Sequence, residues 1–169
     1  SLTRHTCKLE SSVGVQVRTE AALFLSRMAN KYSQELGSST ELMLTTKYRL
    51  VPTLCAMISR DQTRRTRFAA ARCLRCLCQD VTRGSPAVVQ ADPGPSGLGA
   101  VETLVGVVLE LREGVMPHPL LREGLEALKL MASSPGGVLV PQLLVAGAKE
   151  ALTYVAADLK LEDPYRGTS

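Results

Sequence analysis

The chain has 169 residues, 45% of them hydrophobic, with 4% aromatics, no Trp and a formal net charge of +4. That length suits one compact domain or a short run of stacked repeats. The shortage of aromatics argues against a β-sandwich or barrel, and the basic excess is milder than a dedicated nucleic-acid domain carries.

The N-terminus, Ser1-Leu2-Thr3-Arg4, has no signal-peptide pattern, and the chain reads as a piece cut from something longer. The first helical pattern covers 13–36, with apolar residues at Val17, Ala21, Leu25, Met28 and Ala29. Gly37-Ser38-Ser39-Thr40 ends it and offers N-cap residues to the next, 40–59. Ser59-Arg60-Asp61 separates that helix from 62–81, whose stripe is Phe68, Ala70, Leu74, Leu77 and Cys78, with Cys73 beside it.

A flexible loop is expected over 83–98, where Gly84, Pro86, Pro93, Gly94, Pro95 and Gly97 gather, with a short helix at Pro86–Ala91. Helices are expected again over 99–113 and 118–133, the latter striped by Leu120, Leu121, Leu125, Leu128, Met131 and Ala132. A break at Ser133-Ser134-Pro135-Gly136-Gly137 precedes a last helix, 138–161. The helical domain thus runs over 1–163, and 164–169 is a polar tail. The longest apolar run, Val138 to Ala148, is interrupted by Pro141, Gln142 and Gly147, and falls short of the ~20 residues of a membrane span.

Two helix types alternate along this order. In the first, a small residue is followed by Leu at +4 and Leu or Met at +7: Ala21/Leu25/Met28, Ala70/Leu74/Leu77 and Gly124/Leu128/Met131. In the second, Arg49-Leu50-Val51-Pro52-Thr53-Leu54 aligns with Gly99-Ala100-Val101-Glu102-Thr103-Leu104 and with Gly147-Ala148-Lys149-Glu150-Ala151-Leu152. A small residue lets a neighbouring helix approach closely while larger ones fill the core beyond it.

This alternation resembles the armadillo repeat family, with HEAT repeats as its neighbour. Gly99–Leu104 and Gly147–Leu152 are similar to the opening of that family's second helix, and Ala70–Leu77 to its third. The resemblance covers Val13 to Lys160. It implies an all-α, right-handed α-solenoid of about three stacked repeats, truncated at both ends.

Cys73, Cys76 and Cys78 could share a metal, but they also form the apolar stripe of a helix, and no second Cys/His pair stands nearby in the sequence. They read as buried structural thiols. The five Cys form no disulfide framework, which favours a reducing compartment, cytoplasmic or nuclear. His5 and His118 have no motif partners, and no nucleophile-elbow, zinc-protease or phosphate-loop pattern occurs. The chain is therefore expected not to be an enzyme and to need no cofactor.

The sharpest charge feature is the basic run of Arg60, Arg64, Arg65, Arg67, Arg72 and Arg75, with no acid between Asp61 and Asp80. A solvated face explains it most simply. A docking patch for an acidic or phosphorylated protein segment is the functional reading, with nucleic acid as the alternative. In the armadillo resemblance the third helices line a groove, which would add Arg27 and Lys129 to Arg64, Arg65, Arg67, Arg72 and Arg75. The family's import receptors carry Asn at +6 of this helix; here Arg27, Cys76 and Leu130 stand there, so basic import signals are disfavoured. The expected role is a protein-binding scaffold or adaptor, with a structural spacer as the third reading.

Overall fold

The computed structural model describes residues 2–32, 49–60, 63–111 and 119–153, and among these it is helical with no strand. The helices are α1 (Leu2–Tyr32), α2 (Leu50–Arg60), α3 (Arg64–Leu77), α4 (Gly84–Gln90), α5 (Ala100–Leu111), α6 (Pro119–Ala132), α7 (Val140–Val145) and α8 (148–153). No helix among the described residues is long and apolar enough to cross a membrane. The first part of the expected 40–59 helix, His118 and the 164–169 tail lie outside the described residues.

Three expected elements differ in detail. The first helix starts at Leu2 rather than at residue 13, and the short helix expected within 83–98 is α4, starting at Gly84; beyond it Gly94 is buried, with the amide donating to the Leu98 carbonyl. A Cβ on Gly94 would stand 3.3 Å from the Pro52 oxygen and 3.4 Å from the Cys55 Cβ, so this stretch packs down on α2. The expected 138–161 helix is broken at Ala146-Gly147, where Gly147 takes a left-handed φ of 82° and starts α8.

α2, α5 and α8 start with the amide-to-carbonyl closure that also starts α3, α4 and α7. In α2, α5 and α8 the residue before the helix accepts from the amide four residues on: Arg49 O from Thr53, Gly99 O from Thr103, Gly147 O from Ala151. Thr53 and Thr103 also return their hydroxyls to those same carbonyls. Arg49 takes the left-handed region with φ 50°, where Gly147 stands in the third copy.

The helices pack in two layers. The first-type helices form a row in which α3 lies between α1 and α6; α2 packs on α3, α5 on α6, and α2 touches α5. α1 and α3 run parallel, because Thr19 meets Thr66 and, seven residues on in both helices, Ser26 meets Cys73. Between the layers lies one continuous core that includes Leu54, Ile58, Leu74, Leu104, Leu120, Leu128 and Met131. At about 25 cal/mol per Å2 of apolar surface, each such side chain contributes about 1.5–3 kcal/mol.

The stripe expected on the first helix divides: Val17, Ala21 and Met28 are exposed, whereas Leu25 and Ala29 are partly buried against the core, and Thr19, Ala22 and Ser26 are buried against α3. Helical periodicity reports an apolar face without saying which part of it points inward.

Candidate basic interface on the first-type helices

α3 opens with Arg64, Arg65 and Arg67 and has no acid in its first turn. Cations there oppose the macrodipole, which favours negative charge at a helix N-terminus. Neighbouring helices supply that charge. Arg65 pairs with Glu20 of α1 at 3.0 Å, and Arg67 forks onto both carboxylate oxygens of Glu110 of α5 at 2.8 and 2.6 Å. The Arg67 guanidinium holds the Glu110 carboxyl below its ordinary range.

Arg67 also donates its Nε to the Ile58 carbonyl at 2.7 Å. That carbonyl belongs to the last turn of α2, where the intrahelical partners run out. Arg67 is therefore a C-terminal cap for α2 and a clamp to α5, and it points into the seam between the layers. At the other end of α3, Arg75 pairs with Glu123 of α6, and both side chains are largely covered. The expected patch is thus divided: Arg65, Arg67 and Arg75 bind the helices of this chain to one another.

Arg27, Arg64 and Arg72 are exposed. Arg27 lies seven residues beyond Glu20, and Arg72 seven beyond Arg65. Two turns return a residue to the same helix face. Because α1 and α3 run parallel and Glu20–Arg65 bridges them, Arg27 and Arg72 stand on the faces that border the same seam two turns further along. No ion pair joins either to another described residue. Lys129 is further along the row, loosely paired with Glu126 at 3.8 Å.

Lys129 also lines a second feature. A groove of about 440 Å3 opens between α6, α7 and α8, floored by Leu125, Leu128, Leu143 and Leu152, with Lys149 on its wall. Its size is in the range of ligand and peptide clefts.

The cysteines of α3 are free and buried. Burial pushes the Cys73 and Cys78 thiols up to about 12 and Cys55 up to about 11, and raises Cys76 as well. Such thiols are poor nucleophiles and poor ligands at neutral pH. Among the described residues, no group of three or more His, Cys, Asp or Glu side chains is placed to hold a metal ion.

Sequence reasoning missed the acids that consume half of the basic run. Glu20 lies 45 residues before Arg65, and Glu123 lies 48 after Arg75. These separations approach the repeat spacing, so opposite charges one repeat apart were the available signal. Comparison with family models, with curated proteins and with solved structures gives no match for the chain.

Proposed function

We infer that the chain is a non-catalytic protein-interaction scaffold, an α-solenoid of armadillo-like repeats that holds an acidic or phosphorylated segment of a partner protein. The two-layer order of α1–α3–α6 and α2–α5, with the hydroxyls of Thr53 and Thr103 returned alike at the starts of α2 and α5, supports the repeat reading. The observation that carries the function is Arg27 and Arg72, two exposed guanidinium groups on adjacent parallel helices, neither of them paired with an acid among the described residues. A guanidinium presents a planar fork that engages carboxylate or phosphate in two bonds. Exposed ion pairs contribute about 0–1 kcal/mol each, so apolar contacts to half-buried Phe68 and Leu23 on the same side add to them.

The test is binding of fluorescent Glu-rich and phosphoserine peptides to the full chain and to Arg27→Glu/Arg72→Glu. The double variant loses binding with its thermal transition unchanged. Undiminished peptide binding at physiological salt would show that the pair is only a solvated surface. Steep salt dependence on a polyanion, with no peptide bound, would turn the reading to nucleic acid.

A further inference from the structure

We propose that the chain associates head to tail with a second copy of itself, α1 of one copy lying in the α6–α8 groove of the next. The row α1–α3–α6 ends on uncovered apolar surface at both sides. On α1, Val13, Val17, Ala21, Phe24 and Met28 recur at helical spacing on the side turned from α3, and Val17 and Phe24 are 61% and 56% exposed. At the other end, Leu144 and Leu152 of the groove are 52% and 43% exposed. Contiguous apolar surface of this kind marks an interaction site.

The row itself identifies the occupant. Each first-type helix after α1 lies in a seat made by the previous first-type helix and a second-type helix: α3 on α1 and α2, α6 on α3 and α5. The groove repeats that seat, with α6 giving Leu125 and Leu128, and α8 giving Ala148 and Leu152. Among the described residues no further first-type helix with an apolar outer side fills it. α1 is such a helix, and from Val13 to Met28 its outer stripe contains no charged residue. This stripe, with small Ala21 at its middle, is the side that corresponds to the face α3 presents to α1. The contact is heterologous, so it leaves a free groove and a free α1 at the ends of each dimer and extends with concentration.

Sedimentation velocity of the full chain over a hundredfold concentration range tests this. The mean mass rises with concentration, and Val17→Glu/Phe24→Glu and Leu144→Glu/Leu152→Glu each weaken association at least tenfold. All four positions are exposed within one chain, so circular dichroism of each variant stays that of the parent. Phe24→Ser and Leu152→Ser repeat the test without added charge should a glutamate pair fail to fold. The deciding experiment mixes the two glutamate variants: each keeps one intact side, so together they form a 1:1 dimer and nothing larger. A parent chain that stays monomeric throughout overturns the proposal, because some other segment then covers these faces. A groove variant that still dimerises also overturns it, since the contact would then be α1 against α1.

Discussion

Thr19 on α1 and Thr66 on α3 hold their hydroxyl oxygens 2.6 Å apart in the buried seam between the two helices. The direction of the bond follows from the supply of protons. Thr19 donates its single hydroxyl hydrogen to the Val15 carbonyl at 2.8 Å, so Thr66 must donate to Thr19. Thr63, 2.6 Å from Thr66, then donates to Thr66. The relay Thr63–Thr66–Thr19–Val15 leaves no buried hydroxyl in the seam unsatisfied.

Thr66→Val keeps the shape and removes the middle of this relay. Thr19 loses its donor and Thr63 its acceptor, at an expected cost of about 1–3 kcal/mol. Thr19→Val/Thr66→Val removes both buried hydroxyls, and Thr63 is exposed to water, so the double variant recovers part of that loss. Urea unfolding of the four proteins measures it. Additive single effects would show that the two hydroxyls are not coupled.

Arg67→Ala should destabilise more than its visible ion pair suggests. Glu110 is about half exposed, and such a pair contributes about 0–1 kcal/mol. The bond to the Ile58 carbonyl is the larger part, because α2 loses its cap; the total is about 1–3 kcal/mol. Most of the loss should therefore persist in a Glu110→Ala background, as a double-mutant cycle reports. Glu110 titrates below its ordinary range, so the pair's share is present at neutral pH and is lost as pH falls through the folded-state value.

The helices and their order were legible because apolar spacing and Gly, Pro and Ser breaks are local signals. The likeness of α2 and α5 was legible in the same way, since Thr53 and Thr103 stand at the same place in the two sequences and return their hydroxyls to Arg49 and Gly99. Three things were not. The outward side of α1 has the same period as an inward one, and only its neighbour decides between them. The partners of Arg65, Arg67 and Arg75 lie 43 to 48 residues away, beyond any local pattern. The groove arises where three helices meet, and no single helix encodes it.

Leu74 and Leu128 stand at equivalent places in α3 and α6, and both are almost wholly buried. Replacing either with Ala should cost about 2–5 kcal/mol, a transfer term plus a cavity term. Leu25 fills the same place in the repeat alignment but is only partly buried at the end of the row. Leu25→Ala should therefore cost less than either. Equal losses at all three, by chemical denaturation, would show that α1 is as deeply packed as α3 and α6.

The thiols of Cys73 and Cys78 rise from an ordinary value near 9.0 to about 12 because burial disfavours the thiolate. The unfolded chain ionises them first. Their stabilisation is complete below the unfolded-state value and is lost as pH rises through the folded one. Urea midpoints should fall between about pH 9 and pH 12, and Cys73→Ala/Cys78→Ala should flatten that fall relative to the parent. A bulky thiol reagent should modify these cysteines slowly until denaturant is added. Identical alkaline slopes in parent and variant would mean that the thiols are already open to water.

Gly84 tests the turn that joins α3 to α4. Asp80 organises the turn: its Oδ1 accepts from the amides of Thr82 and Arg83, its carbonyl accepts from Ser85, and the Ser85 hydroxyl returns to the Cys78 carbonyl. These bonds fold the chain back so tightly that α4 begins against the end of α3. A Cβ on Gly84 would stand 2.0 Å from the Leu77 carbonyl oxygen. That obstacle is backbone, so no rotamer relieves it, and Gly84 is required here for close approach rather than for a left-handed φ. Ordinarily Ala is favoured over Gly within a helix by about 1 kcal/mol. Gly84→Ala should reverse that sign and destabilise the protein by about 1–3 kcal/mol, the cost of overpacking a close contact. Gly106→Ala in α5, where a Cβ meets nothing within 4 Å, is the control and should be neutral or stabilising. Gly84→Ala as stable as Gly106→Ala by thermal unfolding would mean that α4 does not start against Leu77.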